Sequence, residues 1–297
     1  MKIVITSFIM PQELDDLERV LVDLNKASKH IDGANYEFNI SMSVSDYLIN
    51  WSKSTVDKEF FIKRFNSLKS LAGWAGKVTF QIREEIKGAF QAKRYAHSEC
   101  IDATHFIWLD TDICFDEKIL FYMESAIQAI ESQNISKYFI TPEIVKYWDT
   151  TWDCLVNEQY LQHELDFCKK ANPFIESGEK GDISVEFVSN NVPGQPETKF
   201  GAGWFTLLSK PLLDKIPLPE SMGPYGPDDT FLMWGIEKLN YTSKEIYQFK
   251  LKNYVVCENY IYRNREHYDS IICRIDRKEE FKVNANSKFQ EELNKIV

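Results

Sequence analysis

Two short stretches of this chain carry acids at spacings that suit chemistry. In Phe106-Ile107-Trp108-Leu109-Asp110-Thr111-Asp112 an apolar run ends on two carboxylates one residue apart. A run of that length reads as a buried strand, which sets Asp110 and Asp112 together at its carboxyl end. Two acids there repel each other and lose hydration unless something positive neutralises them. A hard divalent cation, Mn²⁺ or Mg²⁺, does so with oxygen ligands and would bridge to a substrate diphosphate. The competing reading is an Asp-rich turn capping a helix that starts near Asp116. In the second stretch, the turn Gly223-Pro224-Tyr225-Gly226-Pro227 leads into Asp228 and Asp229 at the start of a helix. Acids in a first helical turn cap it and are kept ionised by its free N–H groups.

The elements that must position these acids alternate. Lys2–Ile9 reads as a buried strand, and from Gln12 onward Leu14, Leu17, Val20, Leu21 and Leu24 recur at helical spacing. Tyr36–Val44 reads as a strand, Asp57–Leu71 as a helix, Lys77–Ile82 as a strand and Gly88–Ile101 as a helix. His105–Leu109 follows as a strand, then a helix marked by Ile119, Leu120, Met123, Ile127 and Ile130, then the strand Tyr138–Thr141. Such alternation predicts an α/β fold, a Rossmann-like and mostly parallel sheet with helices on both faces. Ligands of these sheets sit at the carboxyl ends of the strands.

Beyond residue 142 the pattern is irregular. Asn172–Thr198 is rich in Pro and Gly around one short strand, Ser184–Val188, and reads as a lid over a ligand. Trp204–Leu208 reads as a strand, Asp228–Leu239 as a helix and Asn284–Val297 as a polar terminal helix. The expected organisation is a ligand-binding α/β half over 1–142, a second half of the same fold over 143–270, and a tail over 271–297.

Length and composition set the outer limits. A chain of 297 residues with 44% hydrophobic and 14% aromatic residues holds a full core. Its formal charge of −10 argues against nucleic acid or an anionic membrane as partner, since both need a basic surface. No apolar run approaches the roughly 18 residues of a membrane span, and the N-terminal IVITSFIM does not read as a signal peptide. The 6 cysteines show no CxxC pair, which suggests a reducing, cytoplasmic setting. The phosphate loop, the glycine-rich dinucleotide turn, the G-x-S-x-G elbow and H-E-x-x-H are all absent from the sequence. A pyrophosphorylase would carry a first loop rich in Gly and Arg, and Thr6–Pro11 has neither.

The order of the remaining motifs resembles the nucleotide-sugar glycosyltransferases of the GT-A fold, closest to the large family-2 group. That group shows a Gly, a helix with an A-R-N-like start, an apolar strand and D-x-D. Here Gly88, Ala92-Lys93-Arg94 and the strand ending in Asp110-Thr111-Asp112 follow in that order, without the Asn and with the spacing shifted by one residue. Gly201-Ala202-Gly203-Trp204, Pro227-Asp228-Asp229 and His267 then match a glycine-rich loop, an x-E-D motif with Asp in place of Glu, and a late His. The resemblance covers roughly residues 1–270.

The resemblance implies a transferase that moves a sugar from a nucleotide-sugar donor, UDP- or GDP-linked, to a saccharide, glycolipid or glycan acceptor in surface-polysaccharide biosynthesis. Asp112 would hold Mn²⁺ or Mg²⁺, with Asp110 beside it on the metal or the nucleotide and His267 as a third ligand. Asp229 would be the general base of an inverting transfer, with Asp228 as its neighbour. Gly201 and Gly203 would let backbone approach donor or acceptor, Trp204 would stack on a sugar, and Lys93 and Arg94 would meet the diphosphate. Thr6, Ser7 and Asp46 would contact the base and ribose. Plainer roles stand beside these: a cap for Asp228 and Asp229, a tight turn for the glycines and a core position for Trp204. His267 would then be a surface histidine, and Lys93 and Arg94 a solvated helix face. The rival function is a catalytically silent module that binds a saccharide or nucleotide.

Overall fold

The computed structural model describes residues 1–115, 117–145, 185–187, 205–242, 246–258 and 275–297. The chain opens with β1 (Ile3–Ile9), α1 (Leu14–Ala27), β2 (Tyr36–Met42), α2 (Lys58–Leu68), β3 (Lys77–Ile82), α3 (Ala89–Glu99) and β4 (His105–Leu109). After β4 come β5 (Ile113–Cys114), α4 (Ile119–Glu131), β6 (Tyr138–Val145) and β7 (Val185–Phe187). The rest comprises β8 (Phe205–Ser209), α5 (Lys210–Lys215), α6 (Asp228–Thr242), β9 (Tyr247–Glu258) and α7 (Ile275–Lys295).

Side-chain alternation along the central strands feeds two cores. Ile3, Ile5 and Ile9 of β1, with Ile107 and Leu109 of β4, pack against α1 and α4. Val4, Phe106 and Trp108 point the other way and pack with α5, α6 and α7. Burial on both faces is why these strands read as continuous apolar runs rather than as an alternating pattern. The α1 stripe Leu14, Leu17, Val20, Leu21 and Leu24 is fully buried, each side chain contributing about 1.5–3 kcal/mol relative to exposure. Asp57 starts α2 by accepting the Phe60 backbone N–H at 2.8 Å.

Among the described residues the strands form one sheet in the order β3-β2-β1-β4-β8-β6-β9-β5, with β7 added on β9. The expected α/β class, a Rossmann-like sheet with helices on both faces, is the one observed. The β3-β2-β1-β4 part is parallel throughout. The second half of the sheet is mixed, because β8 runs antiparallel to both β4 and β6. That reversal pairs Phe205, the first residue of β8, with Leu109, the last of β4.

Two stretches differ from the sequence expectation. The long strand β9 had no counterpart, although Tyr247, Phe249 and Leu251 alternate with polar residues at a strand period. The terminal helix begins at Ile275 rather than Asn284 and is not a free tail. Phe281, Ala285, Phe289 and Leu293 repeat along one side of it and, with Ile296 just past its end, pack into the molecule. Apart from β7, the stretch expected to act as a lid, 172–198, lies outside the described residues.

Candidate active site

The strand order places a crevice. The chain leaves β1 for β2 and β3 on one side, then returns to add β4 on the other side of β1. Helices on opposite faces diverge at that reversal and leave space beyond the carboxyl ends of β1 and β4. A pocket of about 250 Å³ opens there, with Met10 and Glu13 after β1 and Asp110 and Asp112 after β4. Asp228 and Asp229 line it from the start of α6. The two acid motifs, more than a hundred residues apart in sequence, therefore meet in one cavity.

Local structure explains how each acid is held. The Asp110–Asp112 turn is anchored from α1, where the Arg19 guanidinium donates to the Thr111 carbonyl at 2.6 Å. Asp110 is half-buried, and desolvation, together with Asp112, Asp228 and Glu13, pushes its carboxyl up to about 7 against the pull of Lys93. Its ordinary value is 3.8. Asp228 and Asp229 open α6, where the Phe231 N–H reaches the Pro227 carbonyl at 2.8 Å. Asp229 accepts the Thr230 backbone N–H at 2.6 Å and faces the pocket.

One cation sits among these acids. Lys93 of α3 is only 8% exposed, and its ammonium is ion-paired with Asp228 and lies 4.5 Å from the centre of the Trp108 ring. Burial alone would lower its pKa, but Asp228, Asp110 and Asp229 outweigh it and hold the group above its ordinary value. Lys93 is thus a buried counter-ion rather than part of a solvated face. Its neighbour Arg94 turns away and donates to the carbonyls of Pro219 at 3.1 Å and Gly223 at 3.3 Å. Arg94 braces the turn before α6 and does not line the pocket.

The turn itself is threaded between two helices. A methyl on Gly88 would come within 2.9 Å of both the Pro224 carbonyl carbon and Tyr225 Cβ, so only Gly lets the turn lie against the start of α3. On the other side, a methyl on Gly226 would meet Ala285 Cβ of α7 at 2.7 Å. Further along α7 toward its start, Arg277 lies 4.6 Å over the Tyr47 ring, whose other contacts include Lys87 at 4.5 Å. Lys87 in turn lines the pocket. The terminal helix therefore braces two rims of the cavity.

Other expected site residues fall elsewhere. Thr6 and Ser7 are 2% and 3% exposed within the body of β1 and are not among the residues that line the pocket. Asp46 is exposed and does not line the cavity. Gly201, Gly203, Trp204 and His267 lie outside the described residues. Glu13 and Lys87 were not expected in the cavity. Glu13 stands just past the carboxyl end of β1, the position the strand pattern marks for inspection, so its signal was one of place rather than motif.

The donor set suits a hard cation by type: two half-buried carboxylates bring oxygen ligands to one turn, and the neighbouring acids and burial push Asp110 upward. Among the described residues no group of three or more His, Cys, Asp or Glu converges as a metal cluster. Asp110 and Asp112 would therefore be part of a coordination shell rather than all of it.

No family model matches the chain, and no curated protein matches it. Among solved structures it is similar to a crystal structure of S. aureus TarS 1-349 at 10% identity and a TM-score of 0.49, over 91% of this chain and 63% of that one. A longer S. aureus TarS structure is similar at 9% identity and a TM-score of 0.48, over 90% of this chain and 38% of that one. GalNAc-T7, solved with UDP, GalNAc and Mn2+, is similar at 10% identity and a TM-score of 0.45, over 87% and 43%. The chain spans less than two thirds of the TarS chains it matches. Among the described residues no helix is long and apolar enough to cross a membrane.

Proposed function

We propose that the pocket binds a nucleotide-activated sugar and that the chain transfers the sugar, with inversion, to a saccharide-type acceptor. The observation that supports this best is the meeting of two acid motifs at the β1–β4 reversal. One motif suits a diphosphate-bridging cation and the other a base. Asp112 and Asp110 would hold Mn²⁺ or Mg²⁺, which supplies Lewis-acid stabilisation of the departing diphosphate when bound. His267 is proposed as a further ligand. Its support is topological: Glu258 at the end of β9 pairs with Ile113, the residue after Asp112, and the chain leaves β9 there.

Asp229 would take the proton of the acceptor hydroxyl. It sits at the first turn of α6, where the helix field favours negative charge and the Thr230 N–H donates to it, and Asp228 is already engaged by Lys93. UDP- and GDP-linked sugars are the proposed donors, and a glycan or glycolipid of a surface polysaccharide the proposed acceptor. The scattered cysteines support a cytoplasmic setting. Release of nucleoside diphosphate from a panel of UDP- and GDP-sugars, with Mn²⁺ and with a chelator, tests the reading. Metal-dependent release that rises with added saccharide supports it. Tight nucleotide binding without release under any condition would instead support the silent binding module.

A further inference from the structure

Lys93 ties together parts of the pocket that no local element joins. It stands on α3, its ammonium pairs with Asp228 at the start of α6, and that pair is 8% and 15% exposed. The same ammonium lies 4.5 Å over Trp108, a side chain of the strand that ends in Asp110. Trp108 is 2% exposed, so the aromatic face that receives the cation is fixed in the core. Asp228 has one neighbour in sequence, Asp229, that lines the same cavity. A buried pair of this kind adds little net stability against an apolar replacement, because desolvating both charges offsets their attraction. What it does supply is geometry, since an ammonium held on an aromatic face has few other places to go.

We propose that Lys93 is a positioning residue: its ion pair with Asp228 and its seat on Trp108 fix the start of α6, and so the Asp229 carboxylate, relative to the Asp110–Asp112 turn. This rests on the transferase reading. Lys93 also lines the pocket, and on this proposal it acts through Asp228 rather than on the substrate. Its loss therefore leaves nucleotide contacts in place and misplaces the base, and a displacement near 1 Å costs about 10²-fold in rate.

The test compares the full chain with Lys93→Met, Asp228→Asn and the double variant. Methionine keeps an unbranched stem against Trp108, and the double variant removes the Asp228 charge together with its lysine partner, so it reports even where Lys93→Met fails to fold. Turnover of the active sugar nucleotide is split into kcat and KM, and UDP and GDP binding is measured by calorimetry. The expected result is a kcat lower by about 10- to 100-fold in Lys93→Met, with nucleotide Kd changed less than about threefold. The double variant should be no slower than the worse single variant. A Kd weakened as much as kcat falls would make Lys93 a ligand contact and overturn the proposal. So would losses that multiply in the double variant, or an unchanged kcat beside a lowered Tm. If the unmodified chain releases no nucleoside diphosphate, the transferase reading fails on its own. Hydrogen exchange at the Asp229, Thr230 and Phe231 amides then reads the tie directly. Faster exchange in Lys93→Met supports it, and unchanged exchange overturns it.

Discussion

A single methyl group at Gly88 tests whether the pocket depends on the close passage of the Pro224–Gly226 turn. The backbone of Gly88 is extended, with φ −175° and ψ 166°, so any residue could adopt it. The requirement is space. The added Cβ of Gly88→Ala would overlap the Pro224 carbonyl oxygen and stand 2.9 Å from the Pro224 carbonyl carbon and from Tyr225 Cβ, where carbon contacts are comfortable only at about 3.5–4.0 Å. Relief needs a shift of about 0.6–1 Å, and Pro224 is also held by the Gln91 N–H at 3.1 Å, so strain is shared between α3 and the turn. Overpacking of this kind costs about 1–3 kcal/mol, a few degrees in Tm for a chain of this size. The same shift moves Tyr225 and Gly226 on the cavity wall and the acids that follow, for a loss of about 10- to 100-fold in kcat. Steady-state release of nucleoside diphosphate and a thermal melt read both effects. Gly73→Ala is the control, since its methyl would find only the Ser70 carbonyl oxygen, at 3.2 Å, and lies off the pocket. A Gly88→Ala protein with unchanged Tm and kcat would refute the threading argument.

Three further outcomes follow from the same geometry. Asp112→Asn should weaken Mn²⁺-dependent nucleotide binding and nearly abolish transfer, and calorimetry showing unchanged metal-coupled binding would remove Asp112 from the metal site. Asp229→Asn should cost about 10²–10⁴-fold in kcat with little change in donor affinity, and proton NMR of the wild-type product should show an inverted anomer. Retention, or near-normal turnover in that variant, would dismiss Asp229 as base. Burial pushes the His105 imidazole down to about 4 from 6.5, so the fold holds it neutral while the unfolded chain takes up a proton first. The stability this contributes is full above about pH 6.5 and lost as pH falls through about 4, by about 3 kcal/mol at most. Urea melts at pH 7 and pH 4 should show the wild type losing more stability than His105→Asn, and equal losses would contradict the assignment.

How much of this was legible in the sequence depended on whether the signal was local. The first half was readable because β1 and β4 are apolar on both faces and α1 and α4 carry clean stripes. Their order alone locates the crevice. The reversal of β8 was not readable: Phe205–Ser209 is buried throughout, and a fully buried run looks the same in either direction. The terminal helix was missed in part because its stripe is thin, with Phe281, Ala285 and Phe289 set among charges, and distant contacts with Gly226, Tyr47 and Phe231 give it a face. In the site, the acids were legible as motifs, whereas the role of Lys93 was not. A lysine on a helix has the same local pattern whether it faces water or a distant Asp228, and the partner 135 residues away settles it.

The crowding of acids makes the metal-free pocket electrostatically costly. Asp110, Asp112, Asp228, Asp229 and Glu13 line one cavity with two lysines, Lys93 and Lys87. Lys93 is committed to Asp228, and the α6 N-terminus offsets part of the rest, so an ionised Asp110 is left costly. Its carboxyl is held up to about 7 chiefly by burial. A folded-state pKa above the unfolded value favours the native state while the group is protonated, and that advantage is lost as pH rises from about 4 through about 7. Without metal, replacing the acid by its neutral isostere should therefore stabilise the fold at pH 8 by a few kcal/mol, while weakening metal-dependent nucleotide binding. Melts of Asp110→Asn and wild type at pH 8, first in a chelator and then with Mn²⁺, make the comparison. The wild type should rise with the cation and the variant should rise less, because only ionised oxygen gains from it. A variant less stable than wild type in the chelator would show that the charge is already compensated, and would remove the electrostatic case for a cation at this turn.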